Sequence, residues 1–189
     1  DGLRVYTTIN SHLQQSAQKS IRKGLIAYDK RHGYRGPEFN TPNPELWNNI
    51  LQSTLTYGGL VPAIVKEVHD QHLSVLLADK HEIFISWERG LKNLRKYNTP
   101  DSRSRSIKTA SELFSTGDLV RVSQHNGRWE LAQLPKVQAA IVALNPKNGG
   151  IKALVGGFDF RQNNFNRATQ ATRQSGSNFK PFIYAIALE

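Results

Sequence analysis

The sequence predicts a mixed α+β protein in which a small five-stranded unit sits between two incomplete α+β portions. Three observations predict it. The apolar periodicity is helical before Gly58-Gly59 and strand-like after it, which makes that pair the clearest boundary in the chain. Five short strand-like runs follow, two of them joined by the hairpin signal Asn126-Gly127. Beyond Pro135, two strongly apolar runs flank the turn residues Asn145 to Gly150, and helical character returns near Ser177.

Before the boundary, residues 3–9 (LRVYTTI) are β-rich enough for a strand. A helix is then expected. Ser11 and Gln14 have the form of a capping box, and Leu13, Ala17, Ile21, Leu25 and Tyr28 recur at helical spacing up to Asp29. Gly33, Gly36 and Pro37 break the pattern, and a short helix is expected over residues 45–51.

After the boundary, strands are expected at 60–68, 72–78, 82–87, 118–123 and 128–134, with a short helix near 110–114. That arrangement fits a small Greek-key barrel of the OB type. The stretch from Glu88 to Lys108 carries seven Lys or Arg and is expected to be irregular and solvated, with docking of an acidic partner as its other reading. The runs 137–144 and 151–155 are apolar on both faces, as in strands of a covered sheet. A polar loop at 161–166 leads to a last helix, which admits Pro181 because it falls in the first turn.

The bulk numbers bound the class. At 189 residues, with 38% apolar and 9% aromatic content, the chain can fold as one large or two small domains, and two are expected. The formal charge of +10 is spread out: Lys and Arg number 7 against 4 Asp and Glu in residues 1–59, 11 against 9 in 60–135, and 7 against 2 in 136–189. Anionic wall polymers or a membrane surface suit that balance as well as phosphates do, so charge assigns no nucleic-acid role. The absence of Cys excludes a disulfide frame and a thiolate zinc site but leaves the compartment open. No apolar run approaches the ~18 residues of a membrane span, and the first residues lack a signal-peptide pattern. With no Met even at position 1, the chain reads as a piece of a longer protein whose membrane anchor, if any, lies elsewhere.

Ser-x-x-Lys is the motif that carries chemistry, because three residues of helix put both side chains on one face. A lysine there can take the serine proton, provided burial or a neighbouring cation leaves it neutral. The bare pattern is weak, since Ser16/Lys19, Ser20/Lys23 and Ser177/Lys180 all match. The first two fall on the polar side of the first helix, where solvated side chains are the ordinary reading. Ser177 follows Gly176 at a helix start, where N–H groups favour developing negative charge. By spacing alone a plain N-cap serine remains open.

The surrounding residues bear on that choice. Phe158 to Phe160 and then FNRATQATRQSGSNFKPFIYAIALE resemble the start of the transpeptidase domain in class A penicillin-binding proteins. Upstream, VQAAIVALNPKNGGIKALVGGFDF looks like that family's core hairpin, and GLRVYTTINSHLQQSAQKSIRKGLIAYDKRHGYRGPE resembles its linker and first helix. The detail is similar to the 1A type of Gram-negative bacteria, in which an OB-like domain is inserted into the transpeptidase.

The resemblance implies a division into a linker and helix segment (1–59), an OB-like insert (60–135) and the beginning of the transpeptidase domain (136–189). It implies Ser177 as nucleophile and penicillin acylation site, Lys180 as general base, peptidoglycan stem peptides and β-lactams as partners, and no metal or cofactor. It further implies a parent at the periplasmic face of the inner membrane that also carries a glycosyltransferase domain, with an outer-membrane lipoprotein activator docking on the insert.

Two departures matter. Ser175 stands where the family commonly has proline, and neither Ser-x-Asn nor Lys-Thr-Gly nor Lys-Ser-Gly occurs anywhere. The family needs those further motifs for proton transfer and the oxyanion hole, so these residues alone are expected to have little or no transpeptidase activity.

Other residues have ordinary readings. His69 and His72 sit at a strand-to-turn junction rather than in a metal site, and Trp47, Trp87 and Trp129 are expected to pack in cores. The competing function is an OB module for nucleic acid or oligosaccharide, but its strands, such as VPAIVKEV and LSVLLA, lack the alternating aromatics and cations that stack and neutralise a strand. No nucleic-acid partner is expected.

Overall fold

The computed structural model describes residues 2–189. Helix α1 spans Ser11–His32, with Asn10 as its cap accepting the Leu13 N–H at 3.0 Å. The expected Ser11/Gln14 box is not formed, because Asn10 does the capping and Gln14 reaches another element. Lys30, Arg31 and His32 occupy the last turn, where cations complement the helix dipole, and Gly33 ends it at φ +99°. Ile21 and Leu25 form the buried stripe, while Leu13 and Tyr28 at its ends are exposed.

Residues 3–9 do not form the expected strand. They run exposed, and only the end of the stretch meets the sheet: the Thr8 hydroxyl donates to Ile151 O (2.7 Å) and the Asn10 N–H to Lys152 O (2.9 Å). A strand needs a facing backbone, and β propensity alone does not supply one.

The strands in the middle of the chain pair with one another antiparallel. β1 (Phe39–Asn40), α2 (Trp47–Ser53), β2 (Val61–His69), β3 (His72–Leu76) and β4 (Glu82–Ser86) come first. β5 (Arg95–Thr99) and β6 (Ser102–Ser106) make a separate ribbon, and β7 (Asp118–His125) and β8 (Arg128–Ala132) return to the main sheet. Its order is β1-β7-β2-β3-β4, with β8 also on β7. All five expected strands are present, and β1 is an addition too short to leave a pattern. Among the described residues no ladder joins β4 to β8. The two ends face each other instead through an Arg89–Glu130 ion pair of 2.9 Å and the close approach of Gly90 to the Leu131 backbone.

β2 is buried on both faces, for two reasons. Ala63 and Val65 point into the main core with Leu73, Val75, Ile85 and Val122, while Ile64 packs on the other side with Leu119 and the α2 residues Trp47 and Leu51. Trp47 is thus a core residue, its Nε1 donating to Thr41 O at 2.9 Å, and Trp87 and Trp129 pack at the edge of the main core.

The basic stretch is more ordered than expected. β5 and β6 form a hairpin whose first strand is fixed to the end of α1 by Tyr34 N–H to Arg95 O and Tyr97 N–H to Tyr34 O, both 2.8 Å. Its residues are polar on both faces, so no apolar alternation announced it.

β9 (Ile141–Leu144) and β10 (Ile151–Val155) form the expected last hairpin. Only one face is covered. Val155 and Phe158 join Ile21 and Leu25 of α1 and Leu60 in a core that brings the first and last portions of the chain together. Val142, Leu144 and Ile151 remain exposed. No helix among the described residues is long and apolar enough to cross a membrane.

Candidate active site

The path from β10 to Ser177 begins at a polar knot. Asp159 is buried, and its carboxylate accepts the Gly58 N–H (2.7 Å) and the Arg161 N–H (2.9 Å), with the Arg22 guanidinium at 3.4 Å. Burial alone would raise this carboxyl. The two N–H groups and the Arg161 and Arg22 charges outweigh it and hold Asp159 below the ordinary carboxylate range. Arg22 also donates through Nε to Phe158 O at 3.1 Å. Phe158 lies against Gly58, which has φ +59°, and a Cβ there would stand 2.5 Å from the ring. Helix α1, the turn before β2 and the end of β10 are thereby locked at one point.

Beyond the knot the chain folds back. The Arg167 N–H donates to Gly156 O at 3.1 Å, and Asn166 packs on Gly156, where only a residue without a side chain leaves room.

Ser177 then lies in a single 3-10 turn, Gly176–Phe179, that runs directly into α3 (Lys180–Leu188). The Lys180 N–H donates to Ser177 O, so the two residues stand one tight turn apart, and Pro181 falls in the first turn of α3 as its missing N–H requires. Both residues are exposed, and among the described residues neither side chain has a hydrogen-bond or ion-pair partner. The apolar side chains of α3 are exposed as well, from Phe182 and Ile183 to Leu188 at 89%. A helix apolar all round is built for burial.

The remaining matches to Ser-x-x-Lys lie on the exposed side of α1, with Ser16, Lys19, Ser20 and Lys23 all in solvent. His69 and His72 are the cross-strand pair that closes the β2–β3 hairpin, and their rings stack on each other at 4.2 Å. A cavity of about 630 Å³ opens between β7, residues 132–138 and the loop at 162–167, and its walls include neither Ser177 nor Lys180.

Two ion pairs, each with one buried member, brace this region. Arg35 is bidentate to Asp29, both contacts at 2.8 Å, and donates to Leu134 O at 2.6 Å. Arg121 is bidentate to Glu38 at 2.6 and 3.0 Å. Sequence reasoning singled out none of Arg22, Asp159, Arg35 and Arg121, because each partner lies far off in the chain or carries no local pattern.

Comparison with known proteins places these features. The description "Penicillin-binding protein OB-like domain" matches residues 34–137, and "Penicillin binding protein transpeptidase domain" matches residues 139–189. Penicillin-binding protein 1A of Escherichia coli (strain K12) is 43% identical over 196 residues, covering 100% of this chain and 23% of that protein. Penicillin-binding protein 1A of Pseudomonas aeruginosa is 42% identical over 192 residues, again 100% of this chain and 23% of the relative. A 2.6 Å crystal structure of Penicillin-Binding Protein 1A from Haemophilus influenzae superposes with a TM-score of 0.76 at 35% identity, over 97% of this chain and 26% of that one. The chain therefore spans about a quarter of the length of these relatives.

Proposed function

Because the chain belongs to the penicillin-binding proteins, with their OB-like domain followed by the beginning of their transpeptidase domain, we propose that it is part of a peptidoglycan synthase that cross-links stem peptides through a serine acyl-enzyme. Ser177 Oγ attacks the carbonyl of a D-Ala-D-Ala terminus while an uncharged Lys180 amine takes its proton. Terminal D-Ala leaves, and the amine of a neighbouring stem resolves the ester into a cross-link. β-Lactams acylate the same oxygen, and the chemistry calls for no metal or cofactor.

One observation carries this reading: Ser177 and Lys180 stand one turn apart at the head of α3, inside the residues that match the transpeptidase domain. The rest of the longer protein would cover the apolar surface of α3 and exclude water from the pair. In the proposed division, residues 1–59 and 136–189 belong to the transpeptidase and 60–135 to the insert. The contact of α1 with β10 and Val155 supports the joining of the first and last portions across the insert, while β1 and α2 pack on the insert's own sheet and the OB-like match begins at residue 34. The parent is placed at the periplasmic face of the inner membrane with a glycosyltransferase domain, and a lipoprotein activator is a partner to seek by pull-down with the insert.

Fluorescent penicillin and intact-mass analysis test the assignment. The longer protein should gain one β-lactam adduct that Ser177→Ala abolishes and Lys180→Ala slows severely, while the 189-residue chain labels little. Labelling of the Ser177→Ala protein at the parent's rate would overturn it.

A further inference from the structure

The fold gathers cations that lie far apart in the sequence. Lys30 and Arg31 end α1, Arg95 and Lys96 lie on β5 with their side chains toward opposite faces of the ribbon, and Arg103 and Arg105 lie on β6. The elements are tied together: Arg103 Nη1 donates to Arg31 O at 2.5 Å, and the Tyr34 backbone bridges Arg95 and Tyr97. All six side chains are in solvent.

No carboxylate among the described residues pairs with them. Arg22, Arg35, Lys66, Arg89, Lys92, Arg121 and Arg161 each have a carboxylate partner, but among the described residues none of these six does. Glu112, which feels the Arg105 charge, is already taken up by the Lys108 and Thr109 N–H groups. The one carboxylate in the ribbon itself, Asp101, sits in its tip turn.

The surroundings narrow what such a surface binds. A specific protein interface is anchored by exposed apolar or aromatic side chains at its centre. Here Tyr97 is half-buried, and the ring of Tyr28, though exposed, is taken up by His32, stacked on it at 4.3 Å, and by Arg31 at 5.5 Å. Single-stranded nucleic acid needs free aromatic platforms, which are missing for the same reason. An array of phosphates asks for neither. It asks for clustered cations, and the four Arg of the six add planar forks that hold phosphate oxygens in pairs.

We propose that the end of α1 and the β5–β6 ribbon form a docking surface for anionic phospholipid headgroups. It is independent of the Ser177 chemistry.

Vesicle flotation of the chain tests it, with phosphatidylglycerol-containing vesicles against pure phosphatidylcholine. Binding is expected to the anionic vesicles only and to vanish at high salt. A K30Q/R95Q/K96Q/R105Q variant, which keeps the Arg103 tether, should lose about fivefold in affinity per cation removed. A K19Q/K23Q/K147Q/R173Q control, with the same fall in net charge, should stay near the parent, and unchanged thermal unfolding of both variants separates lost binding from lost fold. Equal binding to neutral vesicles would overturn the proposal. So would equal loss in the two variants, or capture by polyglutamate without capture by anionic vesicles.

Discussion

The side-chain amide of Gln14 pairs with both backbone groups of Leu154: the Leu154 N–H donates to Oε1 at 2.8 Å, and Nε2 donates to Leu154 O at 2.9 Å. Leu154 already faces Val142 across the hairpin, so Gln14 stands in for a third strand on the free edge of β10. Gln14→Ala should cost about 1–2 kcal/mol in urea unfolding, since it strands both groups at a half-buried edge. Gln14→Glu keeps the acceptor and loses the donor. Its deficit relative to the parent should shrink as pH falls through the pKa of the introduced carboxyl, when protonation restores an O–H for Leu154 O.

Arg121 has a side chain only 2% exposed, paired with a Glu38 that remains 34% exposed. Its Nη1 also donates to Leu55 O at 2.6 Å, and it lies 5.6 Å from the Tyr57 ring centre. Arg121→Ala should destabilise by about 2–4 kcal/mol, less than for a fully buried pair because water can still solvate Glu38. Arg121→Lys should recover only part of this, since an ammonium cannot span the fork.

Asp159 sets an acid limit. Its folded-state pKa is depressed, so its contribution is complete above the ordinary carboxylate pKa and is lost as pH falls through the lowered folded value. Asp159→Asn should therefore be less stable than the parent at neutral pH, with the gap closing in acid. Unfolding free energies measured across that range decide it.

Gly58→Ala would force a methyl group against the Phe158 ring at a positive φ. A loss of about 2–4 kcal/mol is expected from strain and overpacking together. Adding Phe158→Leu should return only the packing share, which a double-mutant cycle separates.

Ser177→Ala and Lys180→Ala should leave the stability of this chain within about 0.5 kcal/mol of the parent, because both side chains are exposed and unpartnered among the described residues. A large loss in calorimetry would mean that these residues serve the fold rather than chemistry.

Much of the architecture was legible because it is written in local periods. Ile21 and Leu25 lie one helical turn apart, and the aliphatic runs of β2, β3 and β7 are short, rich in β-branched residues and bounded by polar breaks; both patterns fall within a short window. The β5–β6 ribbon leaves no such signal, because its residues, RKYNT and SRSRS, contrast little with one another and bury almost nothing. Residues 3–9 show the opposite case. They have the composition of a strand, yet of them only Thr8 meets a free backbone edge, followed by Asn10 just beyond the stretch.

By itself, the sequence determined the helical stripe of α1, the short apolar strand runs of the central sheet, and the spacing of Ser177 and Lys180. Only the tertiary structure decided that Gln14 would complete a sheet edge rather than a cap, that Arg22 and Gly58 would converge on Asp159, and that Lys30 and Arg31 would join the cations of β5 and β6. The division has one physical cause. Periodicity is a property of neighbours along the chain, whereas a hydrogen bond or an ion pair depends on what folding brings opposite.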